Sequence, residues 1–199
     1  MRNLIIILDP AHGSNVKGKK SPDGTHLEYQ WSRSICNQLA DILITNNFKV
    51  VFTNQEEVEI GLSKRKEIAN SINISRGETK LLISLHNNAL GNSDYWYNAR
   101  GYEIYTSKGN TKSDKMADIF MKNLQEDFPD FRARADHSDG DLDKESNFTV
   151  LMGNYSAVLI EWLFQDNKED VKLLQDNETN LRFINSLVKS LIYIDEYLI

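Results

Sequence analysis

The chain has 199 residues, 40% of them hydrophobic and 26% charged, with a formal net charge of −6. That length suits one well-cored domain, here a catalytic domain over residues 1–199, and is short for two. The charge argues against a sequence-independent nucleic-acid binder, which needs a basic face, although a local basic cleft can coexist with an acidic average.

Leu4 to Leu8 reads as a buried strand over 3–8, followed by a loop over 9–27 rich in Gly, Lys, Ser and Asp. The run is too short for a signal-peptide core of ~7–15 residues, and no small-residue cleavage site follows. We therefore expect either release from the cytoplasm by a phage-type route or a domain cut from a larger exported protein. Residues 28–46 space Trp31, Ile35, Leu39, Ile42 and Leu43 at steps of three and four, which predicts a helix. Cys36, the one cysteine, falls in that pattern as a small buried residue and permits no intrachain disulfide.

Phe48 to Thr53 predicts a second strand, Leu62 to Ile74 a helix, Lys80 to Leu85 a third strand, and Gly101 to Thr106 a fourth. Residues 111–127 predict another helix. Residues 129–148, with Asp136, Asp139, Asp141, Asp143 and Glu145, read as a surface loop or flap with a solvated charge run whose spacing does not match an EF-hand. Val150 to Met152 reads as a short strand, Ala157 to Glu161 as the last strand, and 178–198 as a long terminal helix. No run approaches the ~18–20 apolar residues of a membrane span. Strands alternating with helices predict an α/β fold: a twisted, mostly parallel sheet of about six strands with helices on both faces.

Three polar residues directly follow aliphatic runs: His12 after Leu4–Leu8, His86 after Leu82–Leu85, and Glu161 after Ala157–Ile160. Glu28 opens the first helix. Open α/β sheets build their sites past the carboxyl ends of strands, and two histidines with a carboxylate are the ligand set of a hydrolytic zinc site. The residues lie on separate segments, so they meet only if the sheet order brings the strand ends together.

The motifs around these residues resemble the zinc-dependent N-acetylmuramoyl-L-alanine amidases of the amidase-3 type. The family's DPGHGG is similar to Asp9-Pro10-Ala11-His12-Gly13-Ser14, and its glycine-then-glutamate element to Gly24 through Glu28. Leu62, Arg65, Ala69 and Asn70 match its L..R...AN helix, and Ser84-Leu85-His86-Asn87-Asn88 its SIHAN strand end. Gly101, Glu103 and Tyr105 match G.E.Y. Residues 156–167 with Asp170 match PAVLVE.GFLSN..D. The matches keep the family's order over nearly the whole chain. Ala11 replaces a glycine, Ser156 a proline, and Trp162-Leu163-Phe164 a smaller glycine-containing turn.

The resemblance implies one Zn2+ held by His12, Glu28 and His86, with Glu161 as the catalytic carboxylate. It implies peptidoglycan as substrate, cut between N-acetylmuramic acid and the L-alanine of the stem peptide, and action on the cell wall by an endolysin or autolysin. A zinc peptidase acting within the stem peptide and a catalytically inactive wall-binding module are the rival readings. His26, two residues before Glu28, reads as a solvated loop histidine or an outer partner of the site. Glu103 reads as a cross-strand charge or a histidine's outer partner, and Arg65 as structural. Asn88, Tyr95, Trp96, Tyr97 and His137 are candidate substrate contacts. The aromatic triplet either caps a core edge or makes a stacking platform for sugar or peptide, and His137 is either a surface residue or part of a mobile loop completing the site.

Overall fold

The aliphatic runs form the middle of a six-stranded sheet in the computed structural model, which describes residues 2–138 and 140–199. In chain order the elements are β1 (Leu4–Pro10), α1 (Glu28–Thr45), β2 (Lys49–Phe52), α2 (Leu62–Ser71), β3 (Thr79–Asn88), β4 (Glu103–Thr106), α3 (Lys112–Asp127), β5 (Lys144–Glu145), β6 (Ser156–Phe164), α4 (Lys168–Leu174) and α5 (Asn177–Tyr197). The sheet order is β2-β1-β3-β6-β4-β5. β2, β1, β3 and β6 run parallel, β4 runs antiparallel to β6, and β5 is parallel to β4. Val150 to Met152 is not the sixth strand: Thr149–Leu151 form a 3-10 turn, and β5 takes that place. Among the described residues no helix is long and apolar enough to cross a membrane.

Alternation along the strands sorts their side chains into two layers of unequal depth. Leu4, Ile6, Leu8, Leu81, Ile83, Val158 and Ile160 pack beneath α1, α3 and α5. Trp162 anchors this layer, stacked on Phe183 at 4.2 Å between ring centroids and edge-on to Phe128 at 4.9 Å. The opposite layer is thin: Ile7, Leu82, Ala157 and Leu159 meet Ala69 of α2 and Val150 and Leu151 of the 3-10 turn. The register Ile7↔Leu82, Asp9↔Ser84 and His86↔Glu161 puts Asp9, Ser84, His86 and Glu161 on this lightly covered face. The site therefore opens where the fold lays down least helix.

The acidic segment is not simply a solvated face, although Asp139 lies outside the described residues. Asp143 is 1% exposed. Its Oδ2 lies 2.6 Å from Thr106 Oγ1, and Asp114 Oδ1 lies 3.1 Å from the same hydroxyl. One hydroxyl proton cannot serve two carboxylates, so a proton on Asp143 completes the chain of bonds. Burial pushes the Asp143 carboxyl up to about 7, the charges of Asp141 and Asp114 add to the rise, and the Thr106 bond opposes it. Between the ordinary aspartate value of ~3.9 and about 7, the folded chain keeps a proton that the unfolded chain has lost. Stability therefore falls as pH rises through that window. We expect Asp143→Asn, which donates to Thr106 without needing a proton, to raise the melting temperature by a few degrees relative to the parent at pH 8 and by much less at pH 5. An equal difference at both pH values would refute the buried proton.

Candidate metal centre

His12 follows β1 in a backbone turned to φ 49°, a conformation uncommon for a non-glycine residue. Two arginines hold it there. Arg33 Nη2 and Arg65 Nη2 each donate to His12 O at 2.9 Å. Arg65 is buried, paired to Asp9 at 2.9 Å and Glu59 at 2.7 Å, which bears out its structural reading. Gly13 has to be glycine, because a Cβ would lie 2.0 Å from Glu59 N. Ser32 of α1 ties the ends of β1 and β3 together: it accepts from Ala11 N at 2.8 Å and donates to Leu85 O at 2.6 Å.

Glu28 begins α1 and is buried. Its Oε1 lies 3.2 Å from His12 Nε2 and 3.0 Å from His86 Nδ1, and it accepts from Asn87 N at 3.2 Å. Gln165 Nε2 donates to the other oxygen at 3.0 Å. Burial alone would raise the Glu28 carboxyl, but the contacts with His12 and His86 outweigh it and hold the group well below the ordinary carboxylate range. One donor atom from each of His12, Glu28 and His86 lies within 4.8 Å of the others, the one such group of three among the described residues.

The surrounding hydrogen bonds orient these donors. Ser84 Oγ donates to Asp9 Oδ2 at 2.6 Å, so the 3.1 Å contact of His86 Nε2 with Ser84 Oγ makes Nε2 the donor. In the neutral ring this leaves the Nδ1 lone pair, 3.0 Å from Glu28 Oε1, for a cation. His12 Nε2, near Glu28 but misaligned for a hydrogen bond, is buried without a partner. Two imidazole nitrogens and a carboxylate oxygen brought this close make the donor set of a cation site, and a partner on the far ring nitrogen, as His86 has in Ser84, is the usual device for aiming a ligand histidine.

Glu161 lies across from His86 on β6. Its Oε2 is buried without a hydrogen-bond partner. Burial pushes the Glu161 carboxyl up to about 7, with His86 and Lys19 opposing the rise and Glu28 and Glu103 adding to it. Glu103, its β4 neighbour in register, is saturated by contrast. It accepts from Asn88 Nδ2 at 2.6 Å, Tyr105 OH at 2.9 Å, Arg134 Nε at 3.0 Å and Lys144 Nζ. It is a cross-strand charge and none of these partners is a histidine. Of two facing carboxylates, only Glu161 is free to take a proton. Leu163, two residues on, adopts φ 60° at the position where the sequence motif carries glycine.

His26 is buried, not solvated, and Asn87 accepts from its Nε2 at 2.8 Å. Burial lowers its basicity. It supports Asn87, whose backbone holds Glu28, and is an outer partner of the site. His137 is exposed on the acidic segment. Tyr95 is 72% exposed, Trp96 and Tyr97 are half-buried, and none of the three joins either core layer. Their loop is pinned to the segment after β6: Leu90 N and Gly91 N donate to Asp166 Oδ2 at 2.7 and 2.9 Å, and Tyr97 N to Asp166 O at 2.8 Å. Ser84, Asn87 and Gln165 lie within the sequence motifs, but their roles do not show there, because they depend on partners from distant segments: Asp9, His26 and Glu28.

Fold and site together define an α/β protein with a strand-end centre suited to one metal ion. Residues 6–193 match the family model described as Amidase_3, N-acetylmuramoyl-L-alanine amidase, and the chain belongs to that family of amide-hydrolysing enzymes. Among solved structures, an N-acetylmuramoyl-L-alanine amidase from Clostridium difficile 630 is similar with a TM-score of 0.83 and 24% identity, covering 99% of this chain and 100% of that one. The catalytic domain of CwlV, an amidase from Bacillus (Paenibacillus) polymyxa, has a TM-score of 0.76 and 21% identity, covering 100% and 98%. The catalytic domain of the CD27L endolysin targeting Clostridia difficile has a TM-score of 0.65 and 21% identity, covering 95% and 96%. At these identities the likeness establishes the fold. No curated protein matches the chain.

Proposed function

We propose that this chain is a zinc-dependent peptidoglycan hydrolase that cuts the amide between N-acetylmuramic acid and the L-alanine of the stem peptide. The observation that carries the reading is the convergence of His12, Glu28 and His86 beside an unpartnered buried Glu161. Two nitrogens and one carboxylate oxygen match a catalytic zinc set, which leaves a position open. When bound, zinc supplies Lewis acidity toward a carbonyl and toward water.

The chain's own groups do the rest. Glu161 takes a proton from the attacking water as the C–O bond forms, and delivers it to the alanine nitrogen as the C–N bond breaks. The products are a glycan strand with a free lactyl carboxylate and a stem peptide with a free amine. Ser84 and Asp9 keep His86 in one tautomer, and Gln165 and Asn87 keep Glu28 from turning. Mass spectrometry of digested cell wall tests the reading. Release of peptides that begin with a free L-alanine amine is expected. Cleavage only within the stem peptide would replace it with the peptidase reading, and no soluble product with the wall-binding module. The endolysin likeness supports action on the wall after release from a host cell, which external addition to intact target cells tests by loss of turbidity.

Tyr95, Trp96 and Tyr97 serve this reading as a substrate wall rather than a core cap. Lys168 Nζ sits 5.7 Å from the Trp96 ring centroid, a surface cation–π contact worth about 0.5–1 kcal/mol. A sugar ring stacked on the tryptophan adds on the order of 1 kcal/mol. We expect Trp96→Ala to raise KM several-fold with a nearly unchanged melting temperature. A large fall in melting temperature with unchanged kinetics would return the loop to a structural role.

A further inference from the structure

Three lysines stand beside the metal centre without an ion pair. Lys17, Lys19 and Lys20 line a crevice of about 400 Å³ together with Leu27 and Tyr29, the two residues that flank Glu28. Among the described residues none of the three ammonium groups has a hydrogen-bond or ion-pair partner. The one acid of this loop, Asp23, is engaged elsewhere: Ser21 Oγ donates to it at 2.6 Å and Thr25 Oγ1 at 2.9 Å. In a chain of net charge −6, such a cluster is a local reversal of sign.

The loop is held in place. Glu28 N donates to Lys19 O at 3.1 Å, and Lys20 bridges Leu27 as a short antiparallel pair. On the other side, Ser93 Oγ donates to Gly18 O, which joins the lysine loop to the aromatic loop after His86. The backbone of the lysine loop is thus fixed against two of the three segments that build the centre. Lys19 also bears on Glu161, where its charge opposes the rise caused by burial.

We propose that this crevice binds the carboxylates of the stem peptide, an inference that rests on the amidase reading and adds a subsite to it. The scissile amide divides the substrate into unequal halves. Once the lactyl carboxyl is tied up in that amide, the N-acetylated glycan carries no charge, while the peptide carries free carboxylates. A cationic crevice next to the reaction centre therefore takes the peptide side and sets which way the substrate lies. Charge-assisted bonds from ammonium groups on an anchored loop favour the acid over its amide.

The test uses the free stem tripeptide, the reaction product, in two forms: with carboxylates, and with those groups converted to carboxamides. Calorimetric titration of the wild-type chain at low salt should give about tenfold tighter binding of the acid form, about 1.4 kcal/mol. The double variant Lys17→Gln/Lys20→Gln, which leaves Lys19 and the metal centre untouched, should lose that preference by weakening the acid form alone. With the corresponding muramoyl peptides, the same variant should raise KM and leave kcat in place. Equal affinity of the wild type for the two forms, no binding of either, or a preference that survives in the double variant would overturn the proposal. Because binding is read without turnover, a lysine-dependent preference in a protein that releases no alanine amine from walls would sustain the subsite and refute the amidase reading. Alanine release with no preference would do the reverse.

Discussion

Glu161→Gln should retain one zinc per chain and lose at least ~10²-fold in kcat, the lower end for removal of a positioned general base. The amide has the carboxylate's shape and cannot accept the water proton. On the proposed reaction this carboxylate is the acceptor by elimination. Glu28 faces the two histidines and accepts from Asn87 and Gln165, and Glu103 is saturated by four donors, whereas Glu161 Oε2 is buried without a partner. Burial that pushes its carboxyl up to about 7 also brings its basicity toward the range where a base both holds and releases a proton at neutral pH. Metal analysis and initial rates on the same preparation check both halves. A variant that keeps near wild-type turnover would remove Glu161 from the reaction. One that loses its zinc would make Glu161 a ligand instead.

Much of the fold was legible because its strands are buried on both faces and read as continuous aliphatic runs. Leu4–Leu8 and Lys80–Leu85 are the cores of β1 and β3. Val150 to Met152 was misread because three apolar residues carry no period, so strand, helix and turn are indistinguishable. α4 was missed for a related reason: Lys168–Leu174 is seven mostly polar residues whose start is set by Asn167 Oδ1 accepting from Glu169 N and Asp170 N. β5 has two residues and exists through its pairing with β4, which no local pattern announces.

The site divides the same way. His12, His86 and Glu161 stand where an aliphatic run stops, which is visible in one dimension. That they face one another depends on the order β1-β3-β6 and on the register His86↔Glu161, which the linear chain does not carry. His26 shows the limit most clearly. Its place in a polar loop two residues before Glu28 left a solvated histidine and an outer partner both open, and the chain folds back through Ser21 N donating to His26 O at 2.9 Å and buries the ring against Asn87 from β3. Glu103 could not be resolved from sequence because Arg134 and Lys144, which neutralise it, come from a segment that read as a mobile flap.

Removal of one ligand should have the other largest effect, and its signature does not depend on activity. Zinc that binds only the folded chain stabilises it by RT ln(1 + [Zn]/Kd), about 2.7 kcal/mol at a hundredfold excess over Kd. For a chain of this size that corresponds to roughly 5–10 °C in melting temperature. We therefore expect a chelator to lower the wild-type melting temperature by that order and to abolish hydrolysis, with zinc restoring both. His86→Ala removes Nδ1 and leaves Glu28 and His12 as an incomplete pair. It should contain no stoichiometric zinc, show background activity, and melt at the same temperature with or without chelator. Ser84→Ala is the graded counterpart. It leaves all three donors but frees His86 Nε2 from the hydroxyl that fixes its tautomer, so zinc affinity should fall ~10–100-fold and activity should return at raised zinc. The order of the two variants is what separates a metal centre from a histidine–glutamate hydrogen-bond cluster. A cluster without metal predicts that both variants destabilise the chain, that added zinc moves neither melting temperature nor rate, and that the wild type ignores the chelator.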